Sequence, residues 1–297
     1  MSLNIIFKKS IYLMVAMAAL GSIIVSCEPD TAGEGNGLEN ANVDPSFTIT
    51  PVAGKNNTYL LVSGTKDVLN SYWKVGKAEF YGKMELEVFL PDKGTYAVIH
   101  TAVGSGGKTN TATKEIIVAA NDPDRGNLVK GTSFLNAADQ AQWTNLHLNT
   151  NGLASWTFTP GFATINVSGD TSNQEAIYQE IDVVKDKEYI IDMVVSATSG
   201  SADFWFEVYA GKTVPTSGVD YTDNKVMGLS SEDGCGKEAF DGKLSAVGCV
   251  KNSATDDQVS NVVKFTESGK VYLVIKSGGN KFTPTGIKIT EVEFRGK

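Results

Sequence analysis

The chain has 297 residues, 26 basic and 34 acidic side chains, and a formal net charge of −8 at neutral pH. With no basic cluster along it, that balance disfavours nucleic acid and anionic lipid headgroups as partners and suits a neutral ligand. The length allows two domains. The two histidines, His100 and His147, lie on either side of the domain boundary at 121–126, in different domains. No nucleophile-elbow, zinc-protease or phosphate-loop motif marks a catalytic centre.

In chain order, Lys8 and Lys9 precede a mostly apolar run from Ile11 to Val25, which Gly21 and Ser22 interrupt. The run is too short for a good membrane span and reads as an export signal. It ends Ile24-Val25-Ser26-Cys27, which resembles the lipobox of bacterial lipoproteins. The resemblance implies a leader over residues 1–26 and a lipidated Cys27 that anchors the mature chain without spanning the membrane. An ordinary signal peptide with an incidental Cys is the alternative. Residues 27–44 are rich in Gly, Asn and Glu, cannot build a core, and read as a flexible tether. Glu28-Pro29-Asp30 resembles, loosely, the surface-export signal of Bacteroidetes lipoproteins. That places the chain on the outer membrane, at the cell surface.

From there on the periodicity is of the strand type, broken by Gly/Ser/Asn turns, and predicts an all-β protein. The one predicted helical turn is Asn136 to Gln142. Asn121-Asp122-Pro123-Asp124-Arg125-Gly126 is the best internal boundary, giving domains at 45–120 and 127–297. In the first, Tyr72-Trp73-Lys74-Val75-Gly76, Pro91-Asp92-Lys93-Gly94-Thr95-Tyr96 and Thr113-Lys114-Glu115-Ile116-Ile117-Val118 follow one another. This order resembles an immunoglobulin-like PKD sandwich, although Gly76-Lys77-Ala78 stands where that family has Asp-Gly. The resemblance implies a spacer with Trp73 and Tyr96 in its core.

Residues 127–297 open with Asn127 to Phe134 and Gln142-Trp143-Thr144. Ala176-Ile177-Tyr178-Gln179-Glu180-Ile181-Asp182-Val183 follows, and Gly286-Ile287-Lys288-Ile289-Thr290-Glu291-Val292 closes the domain. The order resembles a β-jelly-roll carbohydrate-binding module of the family 4 type. Val208 to Pro215 and on through Asp220-Tyr221, and Gly234 to Leu244, resemble segments of lipoproteins from Bacteroidetes glycan-utilisation loci. The insertion between Tyr209 and Val262 departs from simple family members and could shape or cap one end of a groove. Ca²⁺ is common in that fold, and Glu291 could join such a site; no ligand set can be named and no cofactor is expected.

Asp203-Phe204-Trp205-Phe206-Glu207-Val208-Tyr209 is the most informative strand. Period two puts Phe204, Phe206 and Val208 on one face and Trp205, Glu207 and Tyr209 on the other. Rings beside hydrogen-bonding groups on a wet sheet face suit a sugar, whose C–H face stacks while its hydroxyls are read; the alternative is a Trp205 covered by a loop. By the same parity Tyr178 shares a face with Glu180, and Tyr272 with Lys276. The family resemblance adds Trp143, and Trp156 and Phe282 join as aromatics of unsettled facing. For these last three, buried packing stands beside ligand contact.

Cys235 and Cys249 in an exported chain read as a disulfide; a metal pair is the competing reading, with no His or further Cys nearby. A glycosidase would need two carboxylates at a set separation, and nothing marks such a pair. The expectation is a non-catalytic, lipid-anchored surface protein that binds a polysaccharide or oligosaccharide. By family resemblance this is a β-glucan of the β-1,3 (laminarin) type, with an outer-membrane importer and surface glycoside hydrolases as partners. A structural or adhesin-type surface protein, or a hydrolase accessory, is the alternative.

Overall fold

The computed structural model describes residues 43–64, 66–149, 151–169, 172–255, 258–282 and 284–297. The leader, Cys27 and most of the tether lie outside the described residues. Contacts divide the chain into two compact units. One reaches Val88 and includes Thr95–Ile116; the other is Phe89–Gly94 with Ile117–Lys297. The 121–126 segment therefore belongs to the second unit. It is a built turn, in which the Asp122 carboxylate accepts from the backbone N–H of Asp124 (3.0 Å) and Arg125 (2.8 Å).

The first unit holds β1 (Phe47–Pro51), β2 (Thr58–Ser63), β3 (Asn70–Val75), β4 (Ala78–Tyr81), β5 (Glu85–Phe89), β6 (Gly94–Val103) and β7 (Thr109–Val118). They form a β1-β2-β5 sheet and a β4-β3-β6-β7 sheet. Alternation along β3 buries Ser71, Trp73 and Val75 and exposes Tyr72 and Lys74. Trp73 is a core residue, as expected, whereas Tyr96 is only half-buried. The Trp73 indole N–H donates to Lys83 O (2.7 Å), and its ring stacks on His100 at 4.2 Å.

His100 is wholly buried. Its Nδ1–H donates to Pro45 O (2.8 Å), and Nε2 lies 3.0 Å from Ser71 Oγ. Burial holds the imidazole below its ordinary value of 6.5, against the opposing pull of the Pro45 carbonyl and Asp44. The unfolded chain therefore takes up a proton more readily than the folded one. Stability of this unit should be full above the ordinary value and fall as pH drops through it, by at most about 1.4 kcal/mol per pH unit. Calorimetric melts from pH 7.5 to 5 should show this, and His100→Gln should flatten the profile. An unchanged slope in the variant would refute it.

The second unit is an antiparallel two-sheet sandwich. Its strands are β8 (Thr144–Leu146), β9 (Ala154–Thr159), β10 (Phe162–Val167), β11 (Asn173–Val183), β12 (Glu188–Ala197), β13 (Asp203–Gly211), β14 (Lys225–Ser230), β15 (Phe240–Lys243), β16 (Val262–Lys264), β17 (Gly269–Lys281) and β18 (Ile287–Gly296). One sheet runs β14-β13-β17-β11-β8; the other runs β15-β12-β18-β10-β9, with β16 also on β12. The chain changes sheet between β8 and β9, β10 and β11, β11 and β12, β12 and β13, β14 and β15, β16 and β17, and β17 and β18. Alternate residues of both sheets meet in one core. Phe204, Phe206, Val208, Leu273 and Ile275 come from one side, and Ile191, Met193, Val195, Ile289 and Ile165 from the other. The expected helical turn is α1 (Ala137–Gln140), capped by the Asn136 side chain on the N–H groups of Ala138 and Asp139. A second turn, α2 (Leu244–Val247), has no counterpart in the sequence reading.

Candidate functional site

The outer face of the five-stranded sheet is ordered in rows by strand register. Ser230, Trp205 and Gly278 make one row. Gly228, Glu207, Lys276, Ala176 and Leu146 make the next. Lys225, Tyr209, Val274, Tyr178 and Thr144 follow, then Gly211, Tyr272 and Glu180. The structure thus brings together Trp205, Glu207, Tyr209, Tyr178, Tyr272 and Lys276, all expected on the wet side. Gly278 makes room for the indole. A Cβ there would stand 2.6 Å from Trp205 Cζ2, so the ring crosses β17 where no side chain can rise.

The face is not open along its length. The 212–224 segment straps across it. At its base Asp223 accepts from Thr213 N–H (2.8 Å); over β17 Asp220 meets Lys276; beyond β8 the Gly218 N–H donates to His147 O (2.7 Å). Beneath the strap Tyr209, Val274, Ala176, Leu146 and Tyr221 form a small second core, with Tyr178 and Tyr272 packed at its margin. Tyr209 and Tyr221 meet edge to face at 5.7 Å, and Tyr178 and Tyr272 at 6.1 Å. Two expectations are corrected here. Tyr209, at 4 % exposure, and Lys276, at 3 %, are not on an open surface, because the strap covers the middle rows. Trp205 stays half-buried on one side of the strap, and Tyr178 and Tyr272 half-buried on the other.

Lys276 is the centre of the polar contacts. Its Nζ donates to Asp220 Oδ1 (2.8 Å) and to Tyr221 O (3.0 Å), and lies 3.6 Å from Glu207 Oε2. It also sits over the rings of Trp205 (5.1 Å) and Tyr209 (4.9 Å). Glu207 accepts from Tyr209 OH (2.5 Å) and pairs with Lys225 (3.4 Å). Burial first, then the Glu207 charge, holds the Tyr209 hydroxyl far above its ordinary value, so it is a fixed donor. Glu207 and Asp220 thus share one ammonium ion. That arrangement fastens the strap to the sheet.

No family model and no curated protein matches the chain. Solved structures do resemble it at low identity. A chain described under "CBM4 structure and function" is 12 % identical, with a TM-score of 0.33, over 57 % of this chain and 99 % of that one. Another, from work on the promiscuous specificity of carbohydrate-binding modules of the β-sandwich superfamily, is 12 % identical, with a TM-score of 0.30, over 84 % and 96 %. SGBP-B of the Bacteroides ovatus mixed-linkage glucan utilization locus, in complex with a mixed-linkage heptasaccharide, is 11 % identical, with a TM-score of 0.22, over 84 % and 99 %. Likenesses of this size carry no argument about what this chain binds.

The remaining aromatic candidates lie elsewhere. Trp143 and Trp156 are buried in the main core, which corrects a ligand-contact role for both. Trp143 packs on Phe134 at 5.4 Å and donates to Gly131 O; Trp156 shares the inner face of β9 with Phe158 and donates to Glu175 O. Phe282 is half-buried edge-on against Phe204 at 6.0 Å, so it seals the end of the core rather than standing beside Trp205. Cys235 and Cys249 are joined in a disulfide. Among the described residues no group of three or more His, Cys, Asp or Glu could hold a metal ion. Asp220 and Tyr221, which the sequence marked only as part of a familiar segment and not as site residues, hold Lys276.

Proposed function

We propose that the chain is a non-catalytic, lipid-anchored surface protein that binds a neutral glycan through the outer face of the five-stranded sheet. Trp205 and the Tyr178–Tyr272 pair are the sugar-facing rings on the two sides of the strap. The observation that carries the reading is Trp205 itself: a large ring seated over a glycine, braced by Lys276, and left half-exposed on a sheet face whose other large aromatics are paired. A stacking surface held in place before the ligand arrives loses little freedom on binding. The negative net charge fits a neutral polysaccharide. The β-1,3-glucan choice, the outer-membrane location and the partnership with an importer and surface hydrolases rest on the sequence resemblances. Anchoring would raise the effective concentration of a modest site.

The chain has four tryptophans, and Trp73, Trp143 and Trp156 are all buried. A shift in tryptophan emission on adding laminarin-type oligosaccharide should therefore report Trp205, and Trp205→Ala should abolish it. An emission spectrum unmoved by any soluble glucan counts against the reading and favours a protein-binding spacer.

A further inference from the structure

The first unit carries a feature that a plain spacer has no use for. Tyr72 on β3 and Tyr81 on β4 stand directly opposite each other on the outer face of the four-stranded sheet, 37 % and 64 % exposed. Their ring centroids are 5.2 Å apart with planes at 68°. The row continues across the sheet into Thr101, whose hydroxyl lies 3.4 Å from that of Thr111. The next row is Glu79, Lys74 and Ile99. Tyr81 OH donates to Glu79 Oε2 (2.7 Å), and Lys74 pairs with Glu79 at 3.4 Å. The Tyr81 ring is thus tied at its hydroxyl edge while its faces stay open. Tyr72, Lys74, Glu79, Tyr81, Ile99 and Thr101 line a depression of about 270 Å³.

We propose that this face is a second saccharide-binding site, taking one or two neutral sugar rings against Tyr72 and Tyr81. The inference rests on the glycan-binding reading above and extends it to a second position on the same chain. Three features select the ligand class. The rings offer apolar faces for C–H stacking. Thr101, Thr111, Lys74 and Glu79 offer donors and acceptors at their rim. The Lys74–Glu79 pair is neutral as a unit and gives no purchase to a phosphate or sulfate. A protein partner would gain from the two tyrosines but would have to bury the Lys74–Glu79 pair, residue types depleted at the centre of such interfaces. Two sites engaging one long glycan would gain avidity that neither has alone.

The test uses the full mature chain and the variant Tyr72→Thr/Tyr81→Thr; Thr keeps strand propensity at exposed positions. Calorimetric titration with a short oligosaccharide should count one site fewer per chain in the variant than in the wild type. Retardation by the long polysaccharide should weaken about tenfold or more. Single Tyr81→Thr serves if the double variant does not fold, and should lose the same site. Retardation and site count unchanged in a folded variant, with Trp205→Ala still impaired, would refute this second site alone. A wild-type chain that no glucan retards would overturn it together with the glycan-binding reading.

Discussion

Replacing both Cys235 and Cys249 with Ser is expected to lower the stability of the second unit by about 3 kcal/mol. The chain-entropy model gives that figure for a closed loop of about 15 residues, and these cysteines are 14 positions apart. For a unit of this size the melting point should fall by roughly 6–12 °C. The loop matters because of what it holds. It contains Phe240, stacked parallel to Phe204 at 6.5 Å, and Gly236, whose carbonyl accepts from Ser201 N–H. Gly236 lies so close to the Phe204 ring that a Cβ there would stand 2.3 Å from Cζ. The disulfide therefore presses a lid of backbone onto the end of the main core. Melting curves of the wild type with reductant should match those of the Ser variant. A melting point unmoved by either change would mean that core packing alone holds the lid.

Lys276→Met should cost about 2 kcal/mol and release the strap. Removing one partner of a fully buried ion pair costs about 3–5 kcal/mol, because the other charge is stranded. The cost here is smaller because Glu207 keeps Lys225 and the Tyr209 hydroxyl, and the Asp220 side chain is half in water. What the variant loses is the side chain that ties the strap to the middle of the sheet through both Asp220 and Tyr221 O. Trypsin should then cut faster after Lys212, at the base of the strap, while the main core melts as one transition. Cleavage at the wild-type rate would show that the His147 and Asp223 contacts hold the strap unaided.

The six residues of the outer face were legible because strand parity is strict. Val271, Leu273 and Ile275 mark the inside of β17, so Tyr272 and Lys276 must point out. The same logic places Tyr178 opposite Ile177 and Trp205 opposite Phe206. Burial of Tyr209 and Lys276 was not legible, because it depends on where a 13-residue insertion returns, and no local periodicity encodes that. The facing of Trp156 was hidden for a similar reason. On Ala154 to Phe158 the polar set is Ser155 and Thr157, which suits either an exposed face or a hydrogen-bonded edge. The helical turn over Asn136 to Gln142 was readable, whereas α2 lies inside the disulfide loop.

Affinity electrophoresis of the wild-type chain and Trp205→Ala through gels containing a panel of soluble glucans tests the central claim most directly. The wild type should be retarded by a β-1,3-linked glucan, and the variant should lose that retardation or drop at least about tenfold in apparent affinity. Equal migration of the two proteins in every gel would contradict it.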